Sequence, residues 1–324
     1  MKCRKRKQTG DDNGMIPGDG RLVRANKEQG DEDMDNDVGL SNTDAQEQTF
    51  TAYVPSFANH PSLKPHPDEL VETASLHSIQ GPKAGCALRL PSRTILDGLL
   101  TDAQVEMCLR AITQHEIRLP NGRRCGFYMG DGAGVGKGRQ QAAIIFHNFL
   151  HGRRKALWLS VSTDLIEDAR RDIREIGGGE FVKCHDLKAH CSGRSLTLPS
   201  GVLFCTYSLL VKRSKGRSRI DQIVEWCGPD FDGVIALDEC HRAKNLQGAD
   251  PTKAARAVRD LQEGLPLARV VYVSATALTE PAHLASLSRL GLWGPGEIAF
   301  RLRGVEGGEQ LKQNERAVID WPGI

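Results

Sequence analysis

Gly130-Asp131-Gly132-Ala133-Gly134-Val135-Gly136-Lys137-Gly138 decides the fold. It follows a short apolar run, Cys125-Gly-Phe-Tyr-Met129, and leads into helical periodicity over about 138–151. A glycine-rich loop between a strand and a helix is the context in which backbone amides curl around an anion. The glycines permit the curl, and the helix N-terminus adds partial positive charge. Gly132, Ala133, Gly134, Val135, Gly136, Lys137, Gly138 and Arg139 therefore form the candidate cradle, with Lys137 placed to reach the β- and γ-phosphates of a nucleotide such as ATP. Two positions depart from the Gly-x4-Gly-Lys-Ser/Thr pattern. Asp131 stands where the first Gly is expected, and Gly138 stands where a hydroxyl normally faces Mg2+.

Outward from the loop, apolar runs at 156–161, 201–205, 233–237 and 269–273 alternate with helical segments near 138–151, 164–176, 218–227, 252–262 and 282–290. Continuous apolar runs suit strands covered on both faces, so the alternation predicts an α/β chain with a doubly wound parallel sheet and helices on both faces. Ahead of it, Val105, Cys108, Leu109 and Ile112 share one helical face, which Thr101 or Asp102 can cap. Asp164 and Glu167 have capping-box spacing.

A second motif, Asp238-Glu239-Cys240-His241, directly follows the 233–237 strand. Carboxylates at such a strand end lie beside the ligand crevice of an open parallel sheet. Asp238 would hold Mg2+ through water, and Glu239 would orient and deprotonate an attacking water. Ser274-Ala275-Thr276 ends the next strand, where Ser274 and Thr276, with His241, could couple the site to a second lobe. Gln104 precedes the loop strand; its paired donor and acceptor suit an adenine edge, and a surface glutamine is the alternative. Ser160, Ser162, Thr206 and Tyr207 lie at other strand ends, where hydroxyls could meet a nucleic-acid backbone. Lys212, Arg213, Lys215, Arg217 and Arg219 suit either a nucleic-acid path or a solvated loop. Cys184-His185 and His190-Cys191 match no zinc spacing, so no metal site is expected there.

The remainder bounds the whole. At 324 residues the chain allows about two domains, or one domain with tails. A net charge of +2 excludes a strongly basic coat protein, and no apolar run is long enough for a membrane span. Nine dispersed cysteines fit a reducing compartment. Residues 1–50 lack apolar periodicity and carry an acidic cluster at 31–37, which predicts a disordered tail. Its basic start, Lys2, Arg4, Lys5, Arg6 and Lys7, is either a nuclear localisation patch or a solvated terminus. Prolines punctuate 51–100, read as an extended arm leaning on the domain that follows.

Taken in order, Gln104, the Lys137 loop, 238–241 and 274–276 resemble the first RecA-like lobe of a superfamily 2 DExD/H helicase-like ATPase, over 101–298. In detail the sequence resembles the strawberry notch family. The similarity lies in the decamer 130–139 with its Gly after Lys, in Arg154-Lys-Ala-Leu-Trp-Leu-Ser-Val-Ser-Thr-Asp-Leu165, in Arg269-Val-Val-Tyr-Val-Ser-Ala-Thr276 and in Arg289-Leu-Gly-Leu-Trp-Gly294. The resemblance implies a nuclear transcriptional coregulator with an ATPase core, acting on DNA or chromatin, RNA being the other candidate, with transcription-regulatory protein partners. It also implies a second RecA-like lobe supplying arginines to ATP. Residues 299–324 do not continue the likeness, so the expectation is a lobe that turns over slowly by itself. A scaffold in a transcription complex is the alternative, and a nucleotide kinase ranks last.

Overall fold

Five of the apolar runs, joined by one further strand, make a six-stranded parallel sheet in the computed structural model, which describes residues 50–56, 62–77, 85–214, 216–244, 246, 251–275 and 281–292. The elements run β1 (Phe50–Ala52), β2 (Val71–Thr73), α1 (Ala74–His77), α2 (Ser92–Leu96), α3 (Asp102–Gln114), β3 (Phe127–Met129), α4 (Lys137–Leu150), β4 (Lys155–Ser160) and α5 (Leu165–Glu175). Then follow β5 (Cys184–Asp186), β6 (Gly201–Thr206), α6 (Tyr207–Leu210), β7 (Arg213–Ser214), β8 (Arg217–Ser218), α7 (Arg219–Cys227), β9 (Val234–Asp238), α8 (Lys253–Gly264) and β10 (Arg269–Val273). The sheet order is β3-β10-β9-β4-β6-β5, every pairing parallel.

Period-two alternation along each strand divides the core in two. Ala156, Trp158, Val202, Phe204, Val234, Ala236, Val271 and Val273 face α3, α4 and α5. Leu157, Leu159, Leu203, Cys205, Ile235, Leu237, Val270 and Tyr272 face α6, α7 and α8. Both faces are dry, which is why the strands read as unbroken apolar runs. Because all six strands point the same way, the loop after β3 and the ends of β4, β6, β9 and β10 share one edge, where ligands of open α/β sheets bind.

Local chemistry sets several boundaries. Thr101 caps α3 in a full capping box with Gln104. The expected Asp164 cap is not made: Asp164 has helical backbone and no side-chain cap bond, and instead its N–H meets Ser162 Oγ at 3.4 Å. The helix expected at 282–290 is two 3-10 turns, Pro281–Ser286 and Ser288–Leu290. Its regular ladder fails because the Arg289 N–H donates to Tyr272 Oη (3.2 Å). The buried Arg289 guanidinium crosses to the C-terminus of α8, donating to the carbonyls of Gln262 (2.6 Å), Leu265 (2.8 Å) and Pro266 (2.8 Å), and to Arg124 O (3.1 Å). It thereby satisfies carbonyls that a helix end leaves without partners.

In the arm, β1 and β2 pair antiparallel. Ser56 N and Oγ donate to Glu106 (2.8 Å each), and the Asp102 N–H donates to Lys64 O (2.9 Å). The tail expected at 1–50 lies outside the described residues but for Phe50, and residues 299–324 lie outside them entirely.

Candidate functional site

The loop after β3 is bent by two glycines in left-handed backbone, Gly134 (φ 91°) and Gly136 (φ 87°). No L-residue takes such a conformation without strain, and Gly136 is also where α4 begins. A side chain at Gly136 would collide with Gln104, whose Nε2 donates to Val135 O at 2.8 Å while its Oε1 accepts from the Thr101 N–H at 3.1 Å. Gln104 is thus buried, with both ends of its amide spent on the loop and the helix cap. That is not the free amide an adenine edge requires, and Gln104 serves here as a clamp on the loop. Within the loop, Lys137 Nζ donates to the carbonyls of Asp131 (3.0 Å) and Gly132 (2.8 Å). Asp131, in the place of the expected first glycine, accepts from Gln140 Nε2 (3.0 Å); burial pushes its carboxyl up against the downward pull of that bond. Arg139 turns away and pairs with Glu175 (2.6 Å).

The acidic strand end stands opposite. Asp238 Oδ2 accepts from Ser160 Oγ at 2.9 Å, and Oδ1 faces Gln141 Nε2 at 3.4 Å. Tyr207 Oη donates to the Asp238 carbonyl at 2.8 Å. Burial raises the Asp238 carboxyl; the Ser160 bond pulls it down and the neighbouring Glu239 charge adds to the rise. Glu239 has φ 50°, the one non-glycine left-handed residue among those described. Its carboxylate lies 3.2 Å from His241 Nδ1, which also lies 3.0 Å from Ser274 Oγ. The ends of β9 and β10 are thereby tied together. Thr276 lies outside the described residues.

A cavity of about 320 Å³ joins the two halves, lined by Gly134, Gly136, Lys137 and Gly138 on one side and Asp238, Gln141, Asp168 and Asp172 on the others. Glu239 stands beside this lining and is not part of it. The donor set is hard oxygen facing one ammonium and a helix N-terminus. It fits an anionic phosphate chain with a magnesium ion, which prefers oxygen ligands and keeps much of its water.

The remaining sequence candidates scatter. Ser160, Thr206 and Tyr207 are buried and bonded inside the domain: Ser160 to Asp238, Thr206 as the cap of α6 and Tyr207 to the Asp238 carbonyl. They are positioning groups of the strand ends and cannot reach a nucleic-acid backbone, whereas Ser162 is exposed. In the basic stretch, Arg219 is buried on Gln222 and the His190 carbonyl, and Arg217 pairs with Glu225. No group of three or more His, Cys, Asp or Glu residues able to hold a metal occurs among the described residues. Missed in the sequence were Gln141 and Asp172. Gln141 sits one turn beyond Lys137 on α4, and Asp172 adjoins the core residue Ile173 on α5; that periodicity was the signal available.

A strand–loop–helix phosphate cradle facing an acidic strand end across one cavity, on a parallel sheet, defines a P-loop nucleotide hydrolase. Residues 65–306 match the family P-loop containing NTP hydrolase pore-1, to which the chain belongs. Within it the chain is a member of the strawberry notch family, and the match places a P-loop NTP hydrolase domain over most of its length. It is 47% identical over 260 residues to the Caenorhabditis elegans protein strawberry notch homolog, covering 76% of this chain and 14% of that protein. It is 49% identical over 253 residues to human protein strawberry notch homolog 2 (77% and 18%), and 44% identical over 260 residues to Arabidopsis thaliana protein FORGETTER 1 (77% and 20%). The chain thus spans between 14% and 20% of the length of these relatives. Against a solved structure of Saccharomyces cerevisiae Dbp5 bound to RNA and ADP BeF3, the TM-score is 0.40 at 16% identity, covering 57% of this chain and 42% of that one, too distant to carry an argument. No helix of the described residues is long and apolar enough to cross a membrane.

Proposed function

We propose that this chain is the ATP-binding lobe of a strawberry notch-like transcriptional coregulator, an ATPase that works on DNA or chromatin in the nucleus. The observation that carries the reading is the cavity bounded by the Lys137 loop and Asp238. The loop amides and Lys137 would take the phosphate oxygens, with Lys137 leaving the carbonyls of Asp131 and Gly132 to do so. Asp238 would hold the magnesium ion, which neutralises charge on the phosphates when bound. In hydrolysis a water oxygen forms a bond to the γ-phosphorus, and the bond from that phosphorus to the bridging oxygen breaks, its electron pair leaving with ADP. The water's proton passes to the Glu239 carboxylate. The strained backbone of Glu239 and its tie to His241 support a role in which the carboxylate swings toward the cavity when the nucleotide is present.

Nuclear residence rests on the basic cluster Lys2–Lys7, and the DNA, chromatin or RNA substrate and the transcription-regulatory partners rest on kinship with the family. A fluorescent ATP analogue should bind the wild-type chain and lose most of its affinity in Lys137→Ala. Phosphate release should rise when DNA or RNA is added. Equal affinity in both proteins would overturn the reading.

A scaffold reading draws on the absent hydroxyl at Gly138 and on a lysine already bonded within its own loop. It predicts nucleotide binding with negligible hydrolysis, and capture of regulatory proteins that ignores ATP. Pull-downs with and without nucleotide separate the two.

A further inference from the structure

Gly138 is the position at which this kind of loop ordinarily carries Ser or Thr. A Cβ added there would overlap Asp172 Oδ2 and stand 3.1 Å from Asp172 Cγ. The space a hydroxyl side chain would fill is therefore taken by a carboxylate arriving from α5. Asp172 is 9% exposed. Its Oδ1 accepts from Arg171 Nη2 at 3.3 Å, and Oδ2, the oxygen facing Gly138, accepts no hydrogen bond among the described residues. Arg171 also pairs with Asp168 (2.7 Å), so its charge is shared.

An independent observation lies on α4. Gln141 lines the same cavity and is 2% exposed. Its Nε2 is turned toward Asp238, and its Oε1 has no partner. A buried oxygen without a donor is costly, because it has given up water and gained no partner in exchange. Asp172, Gln141 and Asp238 thus line one cavity, and Gln141 brings to it a buried oxygen without a donor, a deficit that a hydrated divalent cation would relieve.

We propose that Asp172 replaces the missing loop hydroxyl, so that its carboxylate, with Gln141 Oε1, helps Asp238 hold the divalent cation that accompanies the triphosphate. The proposal rests on the nucleotide-binding reading. A carboxylate differs from a hydroxyl in bearing charge. It attracts the cation more strongly and, without the cation, repels the phosphates. Nucleotide binding should therefore be unusually dependent on metal, and Asp172 should be the reason.

The experiment uses the full 324-residue chain and a fluorescent ATP analogue, titrated with Mg2+ and separately in excess EDTA. Mn2+ binding is followed in parallel by electron paramagnetic resonance. Asp172→Asn should raise the Mg2+ and Mn2+ concentrations for half-saturation about tenfold, as loss of a metal-supporting group commonly does. In EDTA the same variant should bind the analogue as well as wild type or better. Gly138→Ser alone, whose Cβ evicts the carboxylate, should behave like Asp172→Asn in EDTA. Gly138→Ser combined with Asp172→Ala should regain metal binding by restoring the hydroxyl. Unchanged metal dependence in Asp172→Asn overturns the proposal, as does an equal loss with and without metal, the mark of a purely structural role. If wild type binds no analogue under either condition, the nucleotide-binding reading itself falls, and this proposal with it.

Discussion

Replacing Gln104 by Ala tests what the glutamine does. Its amide makes two hydrogen bonds to backbone, Nε2 to Val135 O at 2.8 Å and Oε1 from the Thr101 N–H at 3.1 Å. Each such bond is worth about 1 kcal/mol net, and somewhat more at a buried site. Truncation therefore removes ~2–3 kcal/mol. The Thr101 half falls on the start of α3, whose Thr101 Oγ cap survives. The Val135 half falls on the phosphate loop, which loses the contact packed behind Gly136. If about 1–1.4 kcal/mol of loop order must then be recovered on binding, affinity falls ~5–10-fold, since 1.4 kcal/mol is a factor of ten.

The loss should be indifferent to the base. In competition against a fluorescent nucleotide, ATP, GTP and inorganic tripolyphosphate should all weaken by the same factor. Gln104→Glu keeps the acceptor for Thr101 but sets a carboxylate against the Val135 carbonyl, and should weaken all three at least as much. If ATP alone weakens while GTP and tripolyphosphate hold their wild-type affinities, the amide leaves the loop to read adenine, and the clamp reasoning is refuted.

Further outcomes follow from the same contacts. Burial raises the Asp238 carboxyl above its model-peptide value of 3.8. The folded chain then holds this proton more tightly than the unfolded chain, and the site costs stability as pH rises from about 3.8 through the folded value. Asp238→Asn should accordingly melt higher than wild type at neutral pH without nucleotide, with the gap closing toward pH ~4, and should lose the thermal gain from Mg-ATP; coincident melting curves at pH ~7 would count against this. Ser160→Ala removes the 2.9 Å bond to Asp238 Oδ2, so the carboxyl should rise further and the pH midpoint of Mn2+ binding should move upward, at a stability cost of ~1 kcal/mol in urea. Arg289→Leu strips donors from four buried carbonyls and should cost ~3–5 kcal/mol by denaturant unfolding, whereas a loss under ~1 kcal/mol would show that water replaces the guanidinium.

The sheet was readable because its signals are local. Leu157, Trp158 and Leu159 are consecutive and all buried, which only a strand covered on both faces allows. The phosphate loop was readable for the same reason, since left-handed backbone at Gly134 and Gly136 leaves its mark at those very positions. Contacts between distant segments left no such mark. Nothing beside Ser160 announces that its hydroxyl holds a carboxylate seventy-eight residues away, so its place at a strand end suggested a surface role. Asp164 had the composition of a helix cap and Ser162 had the geometry to meet its N–H, and composition alone does not distinguish them.

Gly138 leaves a mark of another kind. A glycine in the first turn of a helix lowers helix stability, and here it also removes a side chain the site ordinarily uses. Its open φ needs no glycine, for it is not among the left-handed positions. The requirement is therefore spatial: something occupies the volume. Within the fold that occupant is Asp172, and it can reach only because α5 packs along α4 with Ala169 and Ile173 buried on either side of it in sequence. A small residue where chemistry expects a functional one points to a functional group supplied from elsewhere in the chain. Here the group that arrives carries charge, so the substitution changes the electrostatics of the site as well as its shape.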